Sequence, residues 1–312
     1  MNNKISVIVT AYNGEHYLSE QIDSILKQNY QEWQLIIRDD GSSDTTSELI
    51  REYAHRYPDK IRILSDQLGH IGVSESFLQL LNASDTDYVM FCDQDDLWQA
   101  DKIKAVFNKM KELEARYGVS TPGLVHTDLQ VVDEKLNNIA PSFWRYQHLN
   151  PRNCNKLNKL LVQNVVTGCT VMINRALKDK IKFLPDKAIV YDWWISLAGA
   201  AFGKIVYVSK PTLLYRQHGD NSIGAKEWNL KYIKNMALSG RRSLSEILLK
   251  TQLQAAAFLE VYKNELSAND VNLLTVYSTL SHQGWFARRV NLIKYGFFKT
   301  GFLRNIGLFL AI

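Results

Sequence analysis

The stretch Tyr88–Lys102, YVMFCDQDDLWQADK, passes from apolar to acidic in a single step. Tyr88 to Cys92 form a short uninterrupted apolar run, the pattern of a strand buried on both faces. Asp93, Asp95 and Asp96 stand directly behind it. Carboxylates this close repel one another, and a buried strand tip is a costly place for them. Asp96 or Asp101 could simply cap the helix that follows. Asp93 and Asp95 fit that explanation less well, because each falls where the strand ends. Alternating acids there can aim two carboxylates at one hard cation, Mg²⁺ or Mn²⁺, which takes carboxylate, phosphate and water oxygens. A D-x-D is a common pattern, so its surroundings decide.

Upstream, strand and helix patterns alternate. KISVIVT (4–10), WQLIIRDD (33–40) and KIRILSD (60–66) read as strands, as does DYVMFCD (87–93). EHYLSEQIDSILKQ places Leu18, Ile22, Ile25 and Leu26 on one helical face, and DKIKAVFNKMKELEARYG does the same with Ile103, Val106, Phe107, Met110 and Leu113. SDTTSELIREYAHRYP opens with capping residues and ends before Pro58. Such alternation predicts a mostly parallel sheet covered on both faces, with ligands gathered at the carboxyl ends of its strands. Three strand ends carry polar groups: Thr10-Ala11-Tyr12-Asn13, Asp39-Asp40-Gly41-Ser42 and Asp93-Gln94-Asp95. All three should face one crevice.

Beyond Leu124 the pattern is less regular. LVHTDLQVV, GCTVMIN, KIVYVS and TLLYRQH read as strands, interleaved with short helices such as NKLNKLLVQ and DWWISLAGAAF. Only helical periodicity follows Glu227. The expected division is a catalytic domain over 1–225, with a nucleotide half over about 1–123 and an acceptor half over about 124–225. A helical region over 226–312 would follow, with the break near Gly224–Lys226.

Composition sets bounds. With 312 residues and 46% hydrophobic residues, the chain can bury a full core. A net charge of +5 is mild and does not imply nucleic acid. Cys92, Cys154 and Cys169 are scattered, with neither a disulfide framework nor zinc-ligand spacing, so reduced thiols in a cytoplasm are expected. The N-terminus does not read as a signal peptide, and no stretch reaches the roughly 18 apolar residues of a span.

No G-x-G-x-x-G or phosphate-binding lysine motif follows the first strand, which disfavours dinucleotide oxidoreductases and phosphate-loop kinases. TAYNGEHYL, RDDGSSD and CDQDD stand there in order instead, and together they resemble the family 2 glycosyltransferases of GT-A fold over most of residues 4–220. That resemblance implies that Thr10, Ala11, Tyr12 and Asn13 line the base and ribose, with Tyr12 against the base. It implies that Asp40 accepts the imide N–H of thymine or uracil, with Asp39 either its partner or a turn former. Asp93 would reach ribose or donor sugar, and Asp95 would bind the cation bridging the diphosphate. In AIVYDWWISL, Asp192 would be the catalytic base for a single inverting displacement, between apolar walls from Trp193 and Trp194. In LLYRQHGDN, His218 would be a second metal ligand and Arg216 a diphosphate contact. The QxxRW motif of processive synthases in the family is absent, so one or a few sugars per encounter are expected.

LVHTDLQVVD, SFWRYQ, QNVVTGCTVMIN, YDWW and LLYRQHGDNSIGAK also look like the rhamnosyltransferase-like branch that builds bacterial cell-wall and capsular polysaccharides. This implies dTDP-β-L-rhamnose as donor, with a UDP-hexose as the alternative, and a saccharide acceptor carried on lipid. His126, Asp128, Asn164 and Thr167 become candidates for the sugar pocket. A nucleotidyltransferase would show a basic glycine-rich loop after the first strand, and a decayed assembly factor would have lost its acids. Neither holds here. The tail GWFARRVNLIKYGFFKTGFLRNIGLFLAI (284–312) mixes Arg288, Arg289, Lys294, Lys299 and Arg304 with seven aromatics and no acid. It reads as a helix in an anionic membrane interface, placing the enzyme peripherally on the inner face of the cell membrane, or as packing or a homo-oligomer contact.

Overall fold

The computed structural model describes residues 3–219, 227 and 240–312, the last stretch with side chains from 245. Its strands are β1 (Ile5–Ala11), β2 (Trp33–Asp39), β3 (Ile61–Ile63), β4 (Tyr88–Cys92), β5 (Leu97–Trp98), β6 (Gly123–Val132), β7 (Asn138–Ala140), β8 (Met172–Asn174) and β9 (Lys204–Arg216). Its helices are α1 (Leu18–Leu26), α2 (Thr46–Arg56), α3 (Val73–Ala83), α4 (Lys102–Tyr117), α5 (Phe143–Tyr146), α6 (Leu157–Leu160), α7 (Arg175–Lys178) and α8 (Tyr191–Phe202). The tail adds α9 (Gly240–Tyr262), α10 (Ala268–Ser278), α11 (Trp285–Tyr295) and α12 (Phe302–Ala311).

The strands form one mixed sheet in the order β3-β2-β1-β4-β8-β6-β9-β5, with β7 on β6. The first four run parallel, as expected from their helical crossovers. Strand alternation divides the core. Val7, Val9, Leu35, Ile37 and Met90 face α1, α2 and α4, whereas Ile8, Ile36, Val89 and Phe91 face α3 and α8. The second of these cores continues into the tail through Tyr277, Leu292, Phe297 and Leu308. Each such buried side chain contributes about 1.5–3 kcal/mol relative to exposure. The tail helices are therefore bound to the sheet by shared apolar burial.

Two details differ from the sequence pattern. KIVYVS and TLLYRQH, expected as two strands, form the single strand β9 through Pro211. Pro211 lies opposite Asp128, where the β6–β9 register shifts, so its missing N–H falls in an irregular part of the ladder. The short strands β5 and β7 carry too few residues to show a period. The expected break near Gly224–Lys226 lies outside the described residues.

From β1 the chain proceeds to β2 on one side and reaches β4 on the other, which leaves a crevice at their carboxyl ends. That is where the three polar strand ends meet.

Candidate active site

A cleft of about 620 Å³ opens at this switch point, lined by Thr10, Tyr12, Asp40, Asp93, Asp95 and Asp192 among others. Of Thr10-Ala11-Tyr12-Asn13, only Thr10 and Tyr12 line it. Alternation turns Ala11 into the opposite core, where it is buried. Asn13 takes a left-handed backbone (φ 47°), and its Oδ1 accepts from the Ser43 amide at 2.9 Å. Ala11 and Asn13 thus shape the turn that presents Tyr12, and neither lines the pocket as expected.

Asp40 is buried and crowded with donors. Its Oδ1 accepts from Arg38 and from Ser76 Oγ and the Ile71 amide, both at 2.9 Å; Oδ2 accepts from the Gly72 amide at 2.9 Å and lies 3.0 Å from His70 Nδ1. Burial alone would raise its pKa, but these donors outweigh burial and hold it below the usual carboxylate range. Its one half-exposed neighbour is His70. That imidazole sits 4.4 Å from the Tyr12 ring, centroid to centroid. His70 is a site residue that the strand-end motifs did not reveal. Its signal was the glycine pair around it, since Gly69 and Gly72 both have positive φ. Asp39 turns away, and its Oδ1 accepts from the Ser42 amide at 3.1 Å.

Gln94, the middle residue of the D-x-D, clasps the backbone of Tyr12. Its Oε1 accepts from the Tyr12 amide at 2.8 Å and its Nε2 donates to the Tyr12 carbonyl at 3.0 Å. The base-side turn and the acidic loop are locked together. Asp95 Oδ2 lies 2.8 Å from His218 Nε2, which brings the two expected metal ligands into contact. The His218 ring rests 4.8 Å from that of Tyr17. Arg216 is buried and does not line the cleft, contrary to its expected role at the diphosphate. Its guanidinium ion-pairs with Glu20 and donates to the Asp95 carbonyl (3.1 Å) and the Glu134 carbonyl (2.9 Å). It acts on the Asp95 backbone from behind.

Asp93 and Asp96 cluster with Cys169, with ligand atoms within 4.8 Å of one another. Both Asp96 oxygens are buried without a hydrogen-bond partner among the described residues. Burial, then the charges of Asp95 and Asp93, pushes Asp96 well above the usual range. Burial, then Asp95 and Asp192, raises Asp93 to about 7. Beneath them Lys102 is fully buried and donates to the Cys169 carbonyl at 2.8 Å. Its ammonium supplies opposite charge to the acidic loop from inside the protein, a feature the sequence pattern did not single out.

Across the cleft, Asp192 opens α8. Its Oδ2 accepts from the Gly168 amide at 2.8 Å and its Oδ1 from Asn164 Nδ2 at 3.2 Å. Protein atoms pack densely around it, and burial lifts its pKa to about 7 against these hydrogen bonds. Gly168 is required: a Cβ there would overlap the Tyr191 hydroxyl. Asn164, Thr167 and Trp193 line the cleft as expected, and Trp193 Nε1 donates to the Leu160 carbonyl at 2.6 Å.

Three expected acceptor residues lie elsewhere. Trp194 is fully buried against Phe258 and Tyr262, because residues 193 and 194 point about 100° apart on a helix. His126 is buried between Trp144 and Tyr207, with neither ring nitrogen hydrogen-bonded among the described residues and its pKa pushed down to about 3 by burial. Asp128 is buried and accepts from the Leu129 amide (2.9 Å), the Trp144 amide (3.2 Å) and Ser142 Oγ, so it anchors α5.

Comparison with known proteins identifies the family and the fold. Residues 6–179 match the family model Glycosyl transferase family 2. The dTDP-rhamnosyl transferase RfbG of Shigella flexneri is 27% identical over 229 residues, 70% of this chain and 74% of that protein. The Escherichia coli UDP-Glc:alpha-D-GlcNAc-diphosphoundecaprenol beta-1,3-glucosyltransferase WfgD is 28% identical over 62% of this chain and 69% of its own. Among solved structures, S. aureus TarS 1–349 in complex with UDP-GlcNAc superposes with a TM-score of 0.56 at 18% identity, covering 94% of this chain and 89% of that one. A longer TarS chain is matched over 44% of its length. The strand order, the acidic strand ends and a match over more than half the chain agree: the chain belongs to glycosyl transferase family 2, with the GT-A fold.

Proposed function

We propose that the protein is an inverting, cation-dependent transferase that moves L-rhamnose from dTDP-β-L-rhamnose to a lipid-linked saccharide in bacterial surface polysaccharide synthesis. The observation that carries the chemistry is the two-ended cleft. Asp192, a carboxylate with a pKa near neutrality, faces it from one side, and Asp95 faces it from the other, with the largely buried side chain of His218, itself outside the lining, in contact with Asp95. A general base works best when its pKa lies near the operating pH. Asp192 takes the proton of the acceptor hydroxyl as that oxygen bonds to the anomeric carbon. The bond from that carbon to the diphosphate oxygen breaks with inversion.

Asp95 and His218 fit a divalent cation, since a carboxylate oxygen and an imidazole nitrogen converge to hydrogen-bond distance. The Asp93–Asp96–Cys169 cluster fits one less well: burial keeps its thiol protonated and Lys102 opposes a second positive charge. When bound, the cation would neutralise charge on the leaving diphosphate. Tyr12 and His70 flank the base, Asp40 meets its imide N–H, and Asn164, Thr167 and Trp193 shape the sugar and acceptor side.

RfbG supports the rhamnosyl donor. WfgD favours a second reading with a UDP-hexose donor, and its named acceptor, a diphosphoundecaprenol-linked sugar, supports a lipid-linked acceptor for this chain. Such an acceptor suits a peripheral enzyme on the inner face of the membrane. The deciding experiment is a thermal-shift panel of dTDP- and UDP-sugars with Mn²⁺, followed by donor hydrolysis. A shift with dTDP-rhamnose above all others is expected; a larger shift with a UDP-hexose would replace the donor.

A further inference from the structure

The tail was expected to lie in an anionic membrane interface, with its basic residues on head groups and its aromatics in the acyl boundary. The structure redistributes that task. Of Arg288, Arg289, Lys294, Lys299 and Arg304, only Lys294 is exposed. Arg289 donates to the Phe309 and Ile312 carbonyls, and Arg304 to the His148 and Gln147 carbonyls, so these side chains tie the tail together and to the catalytic unit. The apolar residues divide just as sharply. Leu292, Phe297, Leu308 and Ile312 are buried. On the opposite faces, Trp285, Phe286 and Ile293 of α11 are 64%, 73% and 63% exposed, and Phe302, Ile306 and Leu310 of α12 are 80%, 41% and 56% exposed. In each helix these residues fall at helical spacing on one side. Arg289, reaching from α11 to the last turn of α12, puts both faces on the same part of the molecule.

We infer that these two apolar faces are a membrane-insertion surface set beside the acceptor mouth of the cleft. Three observations select an anionic bilayer as the occupant. Residues 284–312 carry five basic side chains and no acidic one; Lys294 is exposed and the Arg289 guanidinium lies over the exposed Trp285 ring at 4.0 Å, so the region attracts anionic head groups. The exposed residues are aromatic and aliphatic on short helices, which suits the boundary between head groups and acyl chains rather than a span; no described helix is long and apolar enough to cross a membrane. The surface also adjoins the cleft. The Thr300 amide donates to Gln163 Oε1 at 2.7 Å, and Arg304 holds the Gln147 carbonyl at 2.6 Å; Gln147 and Gln163 both line the cleft. Inserted, α12 would bring that mouth to the lipid surface, where a lipid-carried sugar ends. This purpose rests on the lipid-linked acceptor proposed above, but the insertion itself is read without acceptor or donor.

The test is flotation of the full chain with vesicles of phosphatidylcholine containing phosphatidylglycerol, comparing wild type with the double variant Phe286→Ser and Phe302→Ser. Both residues are exposed, so the variant should fold and should hydrolyse donor at the wild-type rate. We expect its partition to fall at least about tenfold, and wild-type binding to persist in part at high salt, because apolar insertion is not screened. Equal partition of the two proteins would overturn the inference, as would a wild type that stays unbound. A wild-type dimer that the double variant dissociates, with no flotation, would assign the surface to a second copy of the chain instead. If flotation holds while no lipid-linked acceptor is used, the insertion surface stands and the acceptor reading fails.

Discussion

The two sides of the cleft depart from the sequence pattern in different ways. On the donor side, Thr10, Tyr12, Asp40, Asp93 and Asp95 line the pocket, while Ala11 turns into the core, Asn13 shapes a turn, and Arg216 and His218 do not line it. On the acceptor side, Asn164, Thr167, Asp192 and Trp193 do so, while His126, Asp128 and Trp194 belong to the protein interior. The difference follows from topology. β1, β2 and β4 are parallel neighbours, so their ends converge on one edge whatever the side-chain detail. The acceptor side hangs on antiparallel pairs, a strand with register shifts and short helical turns. There a single residue's phase decides whether it faces the cleft, and a register shift inverts that phase.

The largest expected effect tests the chemical asymmetry between the sides. Asp192→Asn preserves shape and removes the proton acceptor. Turnover should fall by about 10²–10⁴-fold, with donor affinity unchanged within a few-fold by calorimetry. Loss of donor binding in this variant would move Asp192 to the donor side. The pH profile adds a sign. Asp192 acts as its carboxylate, so wild-type turnover should rise with pH and level off above about 7, and the variant should lose that rise.

Next comes the donor side. Asp95→Ala removes one of two converging groups. Nucleoside diphosphate affinity in Mn²⁺ should fall by about 10–100-fold, the range seen when metal-site partners are lost, and chelator should then have no further effect. Full wild-type activity in excess chelator would break the cation assignment. A loss of similar order is expected for Tyr12→Ala, where base stacking is worth about 1–3 kcal/mol. That loss should appear as weaker donor binding with turnover of bound donor preserved. A turnover defect alone would mean that Tyr12 acts through Gln94 and the acidic loop.

What the sequence withheld is physical in kind. Alternation could place Asp93 at a strand tip, but not Lys102 beneath it, because a lysine opening an amphipathic helix reads as exposed. The tail's aromatics were visible as a set. Their division between the core (Phe297) and solvent (Phe286, Phe302) depends on which face of each helix meets the sheet. His70 sits on a loop without periodicity, and only its flanking glycines mark the spot. The parallel sheet and its three polar strand ends, by contrast, were legible because runs of β-branched residues end abruptly in polar groups, and the GT-A fold followed from the resemblance those motifs carry.

The smallest expected effect separates a buried imidazole from a pocket one. His126 packs between Trp144 and Tyr207 with both nitrogens unpartnered among the described residues. Phenylalanine keeps those ring contacts and removes two desolvated polar atoms, at the risk of slight overpacking. At about pH 8 the two proteins should differ in stability by no more than about 1 kcal/mol. Acid should then separate them. Burial pushes the folded His126 down to about 3, whereas an unfolded histidine titrates near 6.5. Below about 6.5 the unfolded state binds a proton that the folded state refuses, so the stability carried by neutral His126 is lost as pH falls. Between about pH 6.5 and pH 5 this amounts to roughly 2 kcal/mol that wild type loses and His126→Phe does not. Urea melts at the two pH values read the difference directly. Donor and acceptor KM should stay within twofold throughout. A raised acceptor KM in His126→Phe would return this residue to the sugar pocket and weaken the contrast between the two sides.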